Sequence, residues 1–292
     1  MTRLGVLVLR EDELVPTLAG VLCLSTYPQQ YFPQLNVTFV ALPGREMGET
    51  SSSGARFLDS QSCDGPIPEM VAQAVAAVIR NMTRAAHVVG TGRQDRYEYP
   101  VEVVRELIVN ALMHRDYSPA ARGSQVQVEL YPDRLFVRSP GGIFGGVDVA
   151  QFGASGVTSS RNATLARLLS DLVVPTSQDV ICENRGSGIP TIMTALRDGG
   201  MAPPTFDATL TRVQVTVPRH ALLDAETLTW LTSLNQPDLS DGQRMALAML
   251  RPRTEVSNET LRGWGLDRTD ATAALADLVR RGLARRNGAL HN

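Results

Sequence analysis

Lysine is absent from this chain: all 28 of its basic residues are arginine. That absence excludes a phosphate-loop lysine, a Schiff-base lysine and a Ser-x-x-Lys acylating pair. Cysteine is scarce as well. Cys23, Cys63 and Cys182 are odd in number, far apart and without Cys-x-x-Cys or Cys/His spacing, so neither a zinc site nor a disulfide framework is expected. Reduced, structural thiols place the expected compartment in the cytoplasm. No apolar run approaches the roughly 18 residues that a membrane span requires, so no membrane partner is expected. The run at the start, Leu4 to Leu9, is shorter than a signal core and is followed by acidic Glu11, Asp12 and Glu13. Excess charge of one sign is missing too, with a formal net of -2. What remains is the composition of a globular protein whose 292 residues suffice for two or three domains.

The stretch from Tyr99 to Asp116, YPVEVVRELIVNALMHRD, is the most informative one present. Pro100 opens a helix in which Val101, Val104, Leu107, Ile108, Ala111 and Leu112 recur at helical spacing and form a core side. Glu102, Arg105, Glu106, Asn110 and His114 fall on the other half, interspersed with Val103, Val109 and Met113. A solvated face rarely carries those three apolar residues. The polar side is therefore expected to line a half-buried pocket in which Glu106 and Asn110, one turn apart, work on one ligand. His114-Arg115-Asp116 echoes a kinase catalytic loop, but the asparagine which that loop needs five residues on is Ala121. His114 and Asp116 read instead as a helix C-terminal cap and a structural hydrogen bond.

Taken in order, residues 4 to 9 read as a short strand and Pro16 to Ser25 as a buried helix. Asn36 to Leu42 alternates as a strand, and a polar Gly/Ser-containing loop follows whose latter part can pair as another. Pro66 to Met82 is an amphipathic helix with Val71, Val75, Val78 and Ile79 inward, and His87 to Tyr97 a strand pair. Gln125 to Tyr131 and Arg134 to Arg138 form an antiparallel hairpin about Pro132-Asp133. A helix runs from the Asn162 region through Val173, another follows Gly186-Ser187-Gly188 to Asp198, and Thr205 to Leu210 with Arg212 to Val217 closes as a hairpin. The middle of the chain is thus a mainly antiparallel sheet with helices on one face.

After a helix from Ala221 to Leu234 and a linker at Asn235-Gln236-Pro237, the last fifty or so residues read as three helices. These are Gly242 to Leu250, Asn258 to Trp264 and Thr269 to Arg281, followed by a strand and hairpin tip over residues 282 to 288. That is a winged helix-turn-helix pattern. Ser240 to Asn292 carries nine Arg against six Asp and Glu, so positive charge gathers where double-stranded DNA would dock. Arg268, Arg280, Arg281, Arg285 and Arg286 are the candidate phosphate contacts, and a solvated face is the alternative.

Four glycines, Gly141, Gly142, Gly145 and Gly146, let backbone approach a ligand, and Gly186-x-Gly188 opens a helix whose N-terminus attracts anions. With Glu106 as a water-activating carboxylate and Asn110 as a Mg²⁺ ligand, the set describes a phosphate site. A solvated pair is the ordinary reading of Glu106 and Asn110 on an arbitrary helix; the ordered glycine segments favour the ligand site. Arg161 and Asn162 either touch a phosphate or start a helix.

The blocks ELIVNALMHRDY, DRLFVRSPGGI, SSRNATLARLL and RGSGIPTIMTAL, in that order, resemble the GHKL-type ATP-binding domain of bacterial Schlafen-type AlbA transcriptional regulators, often labelled RecG-like helicases. The resemblance covers roughly residues 85 to 218. It implies an α+β protein built on a GHKL (Bergerat)-like α/β sandwich, binding ATP with Mg. Under it Glu106 takes the general-base position and Asn110 the metal position, Ser139 to Gly142 the first glycine box, and Arg185, Gly186 and Gly188 the second. One place departs from the pattern: Ser139-Pro140 stands where an adenine-recognising aspartate is usual, which leaves adenine selection and hydrolysis open. Residues 1–84 resemble a truncated AlbA-like segment. The expected domains are 1–84, 85–218, a connecting helix and linker over 219–239, and the winged helix over 240–292. The expected function is a DNA-binding transcriptional regulator carrying an ATP-binding domain, with a homodimer the default for a binder of palindromic sites. A Mg-dependent ATPase and a degenerate scaffold that no longer binds nucleotide are the alternatives.

Overall fold

The computed structural model describes residues 1–82, 84–89, 92–146, 152, 159–175, 180–183, 186–219, 222–252 and 255–287. Two strands, β1 (Leu7–Arg10) and β2 (Glu13–Pro16), form a hairpin of their own, so the expected strand at residues 4 to 9 is shifted toward Arg10 and gains a partner not foreseen. Helix α1 (Leu18–Leu24) follows, with Thr17 Oγ1 accepting the Gly20 amide as its cap. β3 (Val37–Ala41), β4 (Asp59–Cys63), α2 (Ile67–Asn81), the hairpin of β5 (Arg84–Val89) and β6 (Gly92–Tyr97), and α3 (Val101–Met113) come next. β7 (Val126–Leu130), β8 (Arg134–Pro140), α4 (Ala163–Asp171), α5 (Gly188–Asp198), β9 (Thr205–Ala208) and β10 (Arg212–Pro218) complete the sheet-bearing part.

Six strands make one mixed sheet in the order β4-β3-β7-β8-β10-β9. Every neighbouring pair is antiparallel except β3 and β7, which run parallel. Period-two alternation explains the sheet's two faces. Val37, Phe39, Val126, Val128, Leu135 and Val137 are buried on one of them, and Ser139 on that same face reaches α3. The buried stripe of α2, including Ile67, Met70, Val71, Ala74 and Val78, packs over β3 and β4, with α3 beside it over β7 and β8. The opposite face is mixed: Gln127 accepts from Arg138 across β7 and β8 at 2.8 Å, while Phe136 with Leu42 and Tyr131 forms a small buried cluster against which Val40 packs. Residues 1–84, expected as a segment apart, thus contribute β3 and β4 to the sheet that residues 85–218 continue.

The chain divides into two compact units. The first holds Met1–Ile192 and Pro204–Arg219, the second Met193–Pro203 and His220–Asn292. In the second, α6 (Ala225–Ser233), α7 (Asp241–Leu250), α8 (Asn258–Gly263) and α9 (Arg268–Arg280) enclose Ala246, Leu247, Leu261, Trp264, Ala271 and Leu278. Each start is capped by a side-chain oxygen: Asp224, Ser240 in a full capping box with Gln243, Ser257 and Asp267. The turn between α8 and α9 passes through Gly265 at φ 101°, a left-handed value that favours glycine. The strand expected after α9 does not form among the described residues 282–287, and the hairpin tip beyond them lies outside the described residues. Among the described residues no helix is long and apolar enough to cross a membrane.

Candidate functional site

Helix α3 owes its rigidity to its end. The last four carbonyls of a helix have no partner within it, and here each finds one elsewhere. The Asn110 carbonyl accepts the His114 amide at 3.0 Å, and that of Ala111 accepts the Ser139 hydroxyl at 2.7 Å. The Leu112 carbonyl accepts the Tyr117 hydroxyl at 2.8 Å, and that of Met113 the Asn162 amide at 2.9 Å. Asn162 thus starts α4 while its side chain closes α3, which also takes the Arg115 carbonyl at 2.8 Å. Arg115 itself is fully buried, its guanidinium donating to the carbonyls of Gln34, Asp116, Ala121 and Ser124. The His-Arg-Asp motif is therefore a structural clasp, with Asp116 accepting the Ser118 amide at 2.8 Å.

The polar face of the helix so fixed lines a cavity of about 650 Å³, a size that suits a small organic ligand. Arg105, Glu106, Asn110 and His114 reach it from α3, Ser139, Gly141 and Gly142 from the end of β8, and Gly186, Ser187 and Gly188 from the start of α5. These are three of the segments singled out from the sequence, and they share one space. Arg185 lies outside the described residues. Asn110 Nδ2 donates to Glu106 Oε1 at 3.0 Å and to the Glu106 carbonyl at 2.9 Å, so the amide and the acid are held together one turn apart. Burial pushes the Glu106 carboxyl above the usual range; the Asn110 amide and Arg105 oppose this, and Glu183 adds to it. His114 moves the other way, held neutral by burial and by Arg161.

Two of the glycines sit in close packing. A Cβ at Gly188 would collide with Glu106 Oε1, so the first turn of α5 rests directly on the acid. At Gly141, φ is 96° and a Cβ would run into Arg161 and Asp116. Arg161 holds this corner by donating to the Gly142 carbonyl at 2.6 Å and pairing with Asp116 at 3.6 Å. Sequence reasoning left it between phosphate contact and helix start; it clamps the glycine turn.

Residues 123–217, about a third of the chain, match the family model described as "Putative ATP-dependent DNA helicase recG C-terminal". The matched stretch contains Ser139 to Gly142 and Gly186 to Gly188, while α3 with Glu106 and Asn110 lies before it; the fold, not the match, brings that helix to the cavity. The fold is similar to the crystal structure of the DIP2311 protein from Corynebacterium diphtheriae, with a TM-score of 0.59 and 19% identity over 94% of this chain. The alignment covers 51% of that protein, so the chain spans about half its length. At this identity the likeness speaks for the fold alone. No curated protein matches.

Several lining residues were not assigned a role from the sequence. Ser159, Ser160 and Glu183 are polar, and the Ser160 hydroxyl is buried without a hydrogen-bond partner among the described residues. Ser160 belongs to the block SSRNATLARLL, so the pattern marked its neighbourhood; nothing marked Glu183. Phe152 and Phe206 meet edge to face at 5.1 Å on the apolar side of the cavity. Among the described residues no cluster of three or more His, Cys, Asp or Glu can hold a metal by itself. Asn110 is the residue that would help to hold a Mg²⁺ ion, together with oxygens supplied by a bound phosphate.

The candidate DNA contacts fall into two groups. Arg268, Arg285 and Arg286 are exposed and form no ion pair among the described residues. Arg268 stands between the capping carboxylate Asp267 and Asp270. Arg280 is paired with Asp277, and Arg281 is held by Asp238 at 2.8 Å and Asp277 at 2.6 Å. Carboxylate partners, not open solvent, surround the last of these.

Proposed function

We propose that the chain is a transcriptional regulator of the RecG-like, Schlafen AlbA-related kind, with a GHKL-like nucleotide site in its first unit and a DNA-docking surface in its second. One observation carries the reading: an acid, an amide and two glycine turns, far apart in sequence, border one cavity. An ATP-Mg complex suits it, its phosphates near Asn110 and the N-terminal turn of α5, where helix geometry favours anions. Bound Mg²⁺ would neutralise phosphate charge, while Asn110 would hold it and Glu106 would face the terminal phosphate. The first residues of α5 line the cavity, and its residues from Met193 on belong to the second unit.

DNA docking falls to the start of α9 through Arg268 and to the segment after its end through Arg285 and Arg286, with Arg280 able to exchange Asp277 for a phosphate. Thermal denaturation of the full chain with an ATP analogue and Mg²⁺ tests the first half. A higher midpoint, absent in Asn110→Ala, is expected, and no shift in the unaltered chain sinks the nucleotide site. Titration of a labelled duplex tests the second: the triple variant Arg268→Ala, Arg285→Ala, Arg286→Ala should bind weakly, and undiminished binding refutes the docking surface.

A second reading, ATP hydrolysis, is favoured by Glu106, a half-buried carboxyl on the cavity wall whose pKa burial raises. Phosphate release lost in Glu106→Gln while nucleotide still binds would establish it.

A further inference from the structure

The floor of the cavity is a strip of sheet, and its chemistry is unlike that of the walls. Register places Val137 beside Val215 and Ser139 beside Val213 across β8 and β10, with Phe206 next to Val215 on β9. All five line the cavity. Four are apolar, and the fifth, Ser139, has its hydroxyl hydrogen committed to the Ala111 carbonyl at 2.7 Å, where it closes α3. The cavity's charged and amide side chains, Arg105, Glu106, Asn110 and Glu183 among the described residues, come from α3 and the segment before α5, not from the sheet.

From this division we infer that the cavity takes a nucleoside triphosphate without selecting its base. The inference rests on the nucleotide reading above and deepens it. A base laid on this floor meets aliphatic and aromatic surface, to which every base presents much the same flat face. Base selection needs a fixed donor or acceptor that one base satisfies and another leaves unpaired. Among the described residues the floor offers only a serine oxygen whose donor is already engaged. Affinity then comes from burial of the ring and from the polyphosphate at the polar end, and both are common to purines and pyrimidines.

Calorimetric titration of the full chain with the non-hydrolysable imidotriphosphates of adenosine, guanosine and uridine, and with inorganic triphosphate, each with Mg²⁺, separates the possibilities. The three nucleotides are expected to bind within about tenfold of one another and more tightly than inorganic triphosphate, the span a site without base-specific hydrogen bonds permits. Ser139→Ala should move all three affinities together, and Ser139→Thr, which retains the hydroxyl that closes α3, should restore them. An adenosine preference of more than about a hundredfold overturns the inference and leaves the nucleotide site standing. So does a loss confined to one base in Ser139→Ala. Binding of inorganic triphosphate as tight as that of the nucleotides shows that the floor holds no base and overturns it as well. No binding by any of the four removes the nucleotide reading itself, and this inference with it.

Discussion

In the first unit the guanidinium of Arg115 is wholly buried and meets backbone carbonyls, whereas in the second that of Arg281 lies at the surface, 23% exposed, between the carboxylates of Asp238 and Asp277. In the sequence Arg281 stands among the candidate phosphate contacts, and Arg115 follows directly on the helix that carries Glu106 and Asn110. Their surroundings differ in what removal would expose. Around Arg115 the partners are neutral backbone carbonyls of four residues gathered about one fully buried guanidinium; around Arg281 they are the side-chain carboxylates of Asp238 and Asp277. Proximity to a candidate site therefore says little about an arginine's task in this lysine-free chain, and its partners say most.

The comparison breaks first at Arg115. Arg115→Leu removes the fully buried guanidinium that ties together the carbonyls of Gln34, Asp116, Ala121 and Ser124, and losing several such bonds at once is costly. A loss of roughly 3–5 kcal/mol in urea denaturation is expected, at the high end for single substitutions. A loss under about 1 kcal/mol would mean that water replaces the guanidinium, and the contrast with Arg281 would collapse.

A smaller effect sharpens the picture within the first unit, where Glu106 and His114 on the same helix titrate in opposite senses. Burial raises the Glu106 pKa above its unfolded value near 4.5, so the folded state gains from the neutral acid. The associated stability is full below that value and is lost as pH rises through the raised pKa. For His114 burial lowers the pKa from 6.5, so its share is present above 6.5 and lost as pH falls through the lowered value. Glu106→Gln should therefore flatten the decline in stability on the alkaline side of pH 4.5 while leaving the acid-side loss tied to His114. An unchanged profile in urea melts from pH 4.5 to 7 would show that the carboxyl is hydrated in the folded state.

Much of this arrangement was legible in the sequence, for physical reasons. Helical spacing with valines on the polar side marked α3 as half-buried, and alternation about Pro132-Asp133 marked β7 and β8. Alternation and spacing are local, and these elements follow them. The parallel pairing of β3 with β7 left no trace, because it joins strands nearly ninety residues apart through side chains that suit either direction. Ser139 was read through its place in a pattern, as the stand-in for a base-recognising acid. Only coordinates tie its hydroxyl to Ala111, since a helix end can be closed from anywhere in the chain. Nor does net charge distinguish arginines already paired, such as Arg281, from exposed ones such as Arg285.

The smallest expected effect bears on that last distinction. Arg281→Ala removes a link from Asp277 on α9 to Asp238 before α7, while exposed carboxylates stay hydrated, so only a slight fall in the melting point is expected. Because its guanidinium is engaged, the salt dependence of duplex binding should hardly change. Arg285→Ala and Arg286→Ala should do the reverse: an unaltered melting point, and a logarithmic salt slope reduced by about one for each phosphate contact removed. Were Arg281→Ala to lower the slope as much as either of these, its carboxylate partners would have to yield to DNA, and the division between structural and docking arginines would fall in the second unit.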